Sequence, residues 1–230
     1  YANFLDGYEW KTDMGVAEVM GSKTQRWILR EPAGVMAAIT PWNVPNDINL
    51  KKLGWAMAAG CTVVLKAAPT TSWCANFLGE IIATKTDVPA GAVNILTSGD
   101  NAAIGEMLTA DPRVDMVGFT GSTGVGKRIG EVCGSQVKRV QLELGGKSAA
   151  IVLPDMPGLT HVAGAMGATV CFHAGQGCAI FTRLLVPKSE LDACADAVIQ
   201  SLKNVKYGDP FDPENIMGPQ NSALQRERVE

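Results

Sequence analysis

Histidine, aromatic residues and excess charge of either sign are all scarce in this 230-residue sequence, and each shortage removes a class of function. Only two histidines occur, His161 and His173, and the six cysteines, at 61, 74, 133, 171, 178 and 194, include no CxxC pair. A zinc centre needs clustered ligands and a disulfide framework needs dense cysteines in a small chain, so neither is expected and no metal is assigned. Scattered thiols of this kind fit a reducing compartment, and the expectation is the cytoplasm. Lys and Arg number 20 against 23 Asp and Glu, a net charge of −3 with no block of five like charges. The electrostatic footprint of a nucleic-acid-binding protein is therefore missing. The one candidate membrane stretch, Met156 to Thr182, has no Asp, Glu, Lys or Arg but holds five glycines, both histidines and Gln176. It is rich in alanine rather than leucine, which points to a buried helix and loop instead of a span. The sequence begins at Tyr1, without a methionine or a charged and apolar leader, and reads as a piece of a longer polypeptide.

What is present is a chain with enough apolar residues, 47%, to build a core, and 25 glycines for tight turns and close backbone packing. From Trp27 to Leu153 short apolar runs alternate with helical patterns, the mark of a parallel sheet with helices on both faces. The expected strands are Val35 to Ile39, Cys61 to Leu65, Val93 to Leu96, Val114 to Phe119, Val137 to Leu144 and Ala149 to Leu153. A helix is expected from about Thr71, with Trp73, Cys74, Phe77, Leu78, Ile81 and Ile82 on a core-facing stripe. Beyond Gly145 and Gly146 the texture changes. Thr160 to Ala174 reads as a small-residue helix, Phe181 to Val186 as a strand, and Leu191 to Val205 as an amphipathic helix capped by Ser189 with Asp192. Asn221 to Glu230 reads as the start of another helix. The fold class is α/β, with a doubly wound, mostly parallel sheet followed by the start of a second α/β domain.

Four local patterns carry chemistry. Phe119 to Lys127 is a strand, a glycine-rich turn and a helix start, where free N–H groups make an anion site. Gly121 to Lys127 also matches the GxxxxGK of a P-loop, with Ala149 to Asp155 as a strand ending in a candidate magnesium ligand, but Arg128 stands where Ser or Thr should hold that metal. Gly175-Gln176-Gly177-Cys178 leaves a thiol on a turn, although free cysteines are more often inert and buried. Glu143 closes a strand beside Gly145 and Gly146, and its plain reading is a solvated face. Thr40-Pro41-Trp42-Asn43 sets a side-chain amide at a strand end, where an N-cap is the plain alternative.

Together, Thr40-Pro41-Trp42-Asn43, Phe119-Thr120-Gly121-Ser122-Thr123, Leu142-Glu143-Leu144-Gly145-Gly146-Lys147 and Gly175-Gln176-Gly177-Cys178 resemble the aldehyde dehydrogenase superfamily, in order and spacing, with Leu65-Lys66 and Thr182-Arg183 in support. The likeness covers essentially the whole chain, as an internal portion of a subunit. It implies a cofactor-binding domain over residues 1–146, lacking its N-terminal part and including a bridging hairpin near 18–31, and the first part of a catalytic domain over 147–230. No counterpart of the family's later Glu-x-Phe segment or its C-terminal association strand is present.

The resemblance implies NAD(P)-dependent oxidation of an aldehyde, with Cys178 as nucleophile, Asn43 with the Cys178 N–H as oxyanion hole, and Glu143 as the base for thioester hydrolysis. The implied cofactor is NAD, with NADP possible, held by Ile39, Thr40, Pro41, Trp42, Lys66, Phe119, Gly121, Ser122, Val125, Leu144 and Gly145. Many NAD-preferring members have a glutamate three residues after the lysine, and Pro69 replaces it here. Val44, Asp47, Ile48 and Lys51 would line the substrate tunnel, with Phe172, though Asp47 and Lys51 are also spaced as a solvated i, i+4 pair. Expected partners are a small aldehyde and further copies in a homodimer or homotetramer, with no nucleic acid or membrane. A P-loop-like nucleotide-binding protein and a non-catalytic cofactor-binding relative are the alternatives.

Overall fold

The computed structural model describes residues 2–230, which divide into two compact units, one up to residue 143 and the other 144–230. In the first unit a short helix, α1 (Ala2–Asp6), leads into an antiparallel hairpin of β1 (Lys11–Val19) and β2 (Ser22–Leu29). This hairpin starts seven residues before the segment singled out in the sequence, because β1 carries too few apolar residues to stand out. There follow β3 (Val35–Ile39), α2 (Pro45–Ala58), β4 (Thr62–Lys66), α3 (Ser72–Lys85), β5 (Val93–Leu96), α4 (Asn101–Ala110), β6 (Met116–Gly121), α5 (Thr123–Ser135) and β7 (Arg139–Leu144).

The five strands from β3 onward form one sheet in the order β5-β4-β3-β6-β7, with β3 parallel to both β4 and β6. The chain starts at the centre, winds outward through β4 and β5, then returns to lay β6 against the free edge of β3. That reversal between β3 and β6 makes the sheet doubly wound, as the alternating pattern led one to expect, and opens a crevice at the strand C-termini where such folds bind ligands. Met36, Ala37, Ala38 and Ile39 are all buried, as a strand covered on both faces requires. On one face β3 and β4 pack with Leu53 and Ala56 of α2 and Ala75 of α3. Burying side chains such as Leu53, Val63 and Leu65 contributes about 1.5–3 kcal/mol each.

Three sequence expectations about helices need correction, the last of them in the small-residue helix of the second unit. In α3 the core-facing side chains are Ala75, Leu78 and Ile82, whereas Trp73 and Phe77 are 84% and 64% exposed. Both stripes are apolar and lie about one residue apart around the helix, and the smaller side chains fit against the sheet. In the second unit Ser189 does not cap α7 (Leu191–Lys203): after Pro187 the chain turns through a 3₁₀ segment, Lys188–Glu190, so Glu190 takes the cap position without a side-chain bond.

The second unit pairs β8 (Ser148–Ile151) in parallel with β9 (Phe181–Leu185), joined through α6 (Leu159–Ala168). Gly164 and Gly167 bring α6 close to α7, since a Cβ at 167 would stand 2.5 Å from a Val198 methyl. The helix expected to run to Ala174 ends as α-helix at Ala168 and continues as a 3₁₀ segment to Gly175. That segment is broken because Phe172 turns extended and His173 and Ala174 adopt positive φ. A final helix, α8 (Ala223–Val229), begins at Ser222, whose Oγ accepts from the Gln225 N–H at 3.3 Å. Among the described residues no helix is long and apolar enough to cross a membrane.

Candidate active site

In the first unit the chemistry-bearing residues gather where β3, β4, β6 and β7 end. Ile39 and Thr40 close β3 in the core; the Thr40 N–H donates to the Lys66 carbonyl at 3.1 Å, tying the ends of β3 and β4 together. Pro41, Trp42 and Asn43 are half-buried in the turn that follows. Asn43 is not the N-cap of α2. Val44 holds that position without a side-chain capping bond of its own, and Pro45 opens the helix.

Ser122 stands at the corresponding place after β6, as the N-cap of α5, and its hydroxyl makes no capping bond. An extended Ser122 and the first-turn N–H groups of a 13-residue helix form the donor array that suits a phosphate. Phe119 is buried, Gly121 half-buried and Val125 half-exposed on the first turn of α5. Arg128, which breaks the P-loop pattern, is engaged with Glu106 and lies 3.8 Å from Glu131. Lys66, at the end of β4, is buried; its Nζ donates to the Ala67 carbonyl at 3.0 Å and to Asn101 at the start of α4, and burial pushes its pKa below the ordinary value.

On α2, Asp47 and Lys51 form a 2.7 Å ion pair with both side chains more than half exposed. Val44 is exposed and Ile48 half-buried. The buried face of the helix is instead Asn49, Lys52, Leu53 and Ala56. Lys52 was missed by sequence reasoning, and only the register of α2 against the sheet reveals it. Its Nζ reaches over Gly118, where a Cβ would lie 3.4 Å from it, and donates to Gln141 Oε1 at 3.4 Å. Gln141 Nε2 in turn donates to Glu143 Oε1 at 3.3 Å, because residues two apart on β7 share a face. Burial pushes the Lys52 ammonium down from 10.5 to about 8, and the Glu143 carboxylate opposes that shift.

A stability effect follows. Between about pH 8 and 10.5 the unfolded chain keeps a proton at Lys52 that the folded one has released, so Lys52 makes stability rise with pH across that window. Lys52→Met fills the same space without charge and is expected to raise unfolding free energy at pH 7 by about 1–3 kcal/mol. It should also flatten the rise above pH 8. Denaturant titrations on both sides of that pH check this, and an unaltered pH slope in the variant would count against it.

Leu144 and Gly145 follow in the second unit, half-buried and exposed. Among the six free cysteines Cys61, Cys133 and Cys194 are buried, Cys74 and Cys171 intermediate, and Cys178 exposed. Burial raises the pKa of the Cys133 and Cys194 thiols, leaving them poor nucleophiles. Cys178 sits in a turn held by an Ile180 N–H bond to the Gly177 carbonyl at 3.5 Å. The loop before it is pinned: Gln176 accepts from the Asn221 N–H at 2.8 Å, and Gln220 Nε2 donates to the Ala174 carbonyl at 2.8 Å. His173, Ala174 and Gly175 have three successive positive φ values, a contortion these bonds stabilise. Phe172, just before them, is 70% exposed. No group of three or more His, Cys, Asp or Glu that could hold a metal occurs among the described residues.

Residues 3–230 match the model of the aldehyde dehydrogenase family. The chain belongs to that family. A 3-succinoylsemialdehyde-pyridine dehydrogenase from a Pseudomonas species is 38% identical over 229 residues, which are 100% of this chain and 46% of that protein. Succinate-semialdehyde dehydrogenase [NADP(+)] GabD of Escherichia coli K12 is 41% identical over 84% of this chain and 39% of its own length. Among solved structures, a Mycobacterium tuberculosis aldehyde dehydrogenase complexed with NAD+ superposes with a TM-score of 0.89 at 38% identity, covering 99% of this chain and 46% of that one. The chain thus spans under half the length of these family members.

Proposed function

We propose that the polypeptide carrying this chain oxidises an aldehyde to a carboxylic acid with NAD or NADP, using Cys178 as nucleophile. The observation that carries this reading is Cys178 itself, an exposed thiol on a turn fixed by side-chain and backbone bonds, while the other thiols are buried or partly covered. The Cys178 thiolate adds to the aldehyde carbon, and the oxygen that gains charge accepts hydrogen bonds from the Asn43 amide and the Cys178 backbone N–H. A nicotinamide held there would supply the hydride acceptor by which this adduct is oxidised to a thioester on Cys178. Glu143 then takes a proton from the water that attacks the Cys178 thioester, releasing the acid and restoring the thiolate.

Ser122 and the α5 N-terminus would hold the pyrophosphate, and Lys66 and the turn after β3 the adenosine side, so residues 1–146 would serve as the cofactor-binding domain and 147–230 as the first part of the catalytic domain. That the M. tuberculosis relative is complexed with NAD+ supports the assignment. Val44, Asp47, Ile48, Lys51 and Phe172 are proposed to face the aldehyde. Free cysteines fit the cytoplasm, and exposed Trp27, Ile28 and Leu29 on the hairpin fit a homodimer or homotetramer. The test is formation of reduced cofactor by the natural polypeptide with a panel of aldehydes and either dinucleotide; none formed with any aldehyde overturns the reading.

Cofactor preference offers a sharper test. Pro69 opens an exposed 3₁₀ turn three residues after Lys66, where no carboxylate is present to chelate a ribose or repel a 2′-phosphate. Pro69→Glu is expected to cut kcat/KM for NADP by at least about tenfold with NAD similar or improved. Wild-type rejection of NADP by several hundredfold would assign the preference to another residue.

A further inference from the structure

Gln141 occupies a position the proposed mechanism leaves unused. It projects from β7 on the same face as Glu143, donates to that carboxylate at 3.3 Å, and accepts from the Lys52 ammonium at 3.4 Å. Lys52 is 6% exposed, and its Nζ lies beside Gly118, where the nearest other side chain is the apolar Met36. One primary amide therefore has its acceptor on the cation and its donor on the carboxylate, an arrangement that an ionised carboxylate at 141, which only accepts and adds charge, does not reproduce as a neutral bridge.

We propose that Gln141 is a positioning residue that fixes the Glu143 carboxylate relative to the Lys52 charge, and that water attack on the thioester depends on this bridge. The inference rests on the aldehyde-oxidation reading. The charged group acting on Lys52 is Glu143 on β7; the Asp47–Lys51 pair on its own helix is more than half exposed and its members are bonded to each other. β3 and β6 place no titratable residue against it; Gly118 and Met36 are its neighbours there. Loss of the amide leaves Glu143 free to rotate away and leaves the Lys52 ammonium without this acceptor.

The experiment is a double-mutant cycle in the natural polypeptide with Gln141→Met and Lys52→Met, following both the first-turnover burst of reduced cofactor and the steady state. Gln141 lies exposed on an edge strand, where methionine is tolerated. Gln141→Met should lower steady-state kcat about tenfold with burst amplitude and aldehyde KM unchanged, and should add little to Lys52→Met, since both cut one bridge. The pH step in kcat that disappears in Lys52→Met should move to lower pH in Gln141→Met, because the ammonium has lost an acceptor. A residue with a merely structural role would give effects that multiply and a pH step that stays in place, and that outcome overturns the inference alone. A wild type without any aldehyde-dependent burst overturns the inference and the functional reading together.

Discussion

Cys178→Ala is expected to reduce aldehyde oxidation by at least about 10⁴-fold while leaving dinucleotide affinity within about twofold of the wild type. The asymmetry arises because the thiol is proposed to meet the aldehyde, whereas the proposed dinucleotide contacts lie mainly at the ends of β3, β4 and β6. A carbonyl carbon is a poor hydride donor until a nucleophile has made it tetrahedral, so alanine removes the step on which the others depend. The side chain is exposed and the turn is closed by backbone bonds and by Gln176, so alanine leaves the loop intact. Iodoacetamide labelling provides the check. Inactivation should track alkylation at 178, and inactivation that followed Cys171 or Cys133 instead would remove the assignment.

Glu143→Gln should separate the two halves of the reaction. Glutamine has the same shape and can still accept from Gln141 Nε2, but it cannot take a proton from water. The first turnover should deliver its reduced cofactor at close to the normal amplitude, and the steady state should fall by roughly 10²–10³-fold as the thioester accumulates. Mass spectrometry of the quenched protein should then show an acyl adduct on the peptide containing Cys178. Equal losses in burst and steady state, with no adduct, would show that Glu143 acts before hydride transfer rather than in hydrolysis alone.

The strands were the legible part of this fold. β3 and β5 fall on the residues expected, because compact apolar runs end at proline, glycine or aspartate. Helix facing was legible only where polarity marks it. The α3 stripe of Trp73 and Phe77 carries as much apolar character as the one containing Leu78 and Ile82, and packing against the sheet, which sequence periodicity does not see, decides between them. On α2 the i, i+4 rule found the Asp47–Lys51 pair, yet the next residue, Lys52, is the buried one. Two adjacent lysines look alike in sequence and differ only in register. The Lys52 bond to Gln141, through which it reaches Glu143, joins residues 89 positions apart and leaves no local pattern to find. The cap positions at Val44 and Ser122, the latter with its hydroxyl in no capping bond, likewise depend on where each helix starts.

Strand order also has a consequence during synthesis. β3 is made first but its far edge is covered only by β6, and the Val35 N–H reaches its acceptor Asp115 across 80 residues. At ordinary translation speeds that gap lasts roughly 4–16 s, with the half-sheet β5-β4-β3 presenting the apolar β3 edge, open backbone groups included. An unpaired apolar edge is a template for pairing with another chain. Slow translation before residue 121 should therefore lower soluble yield more than the same delay placed after it.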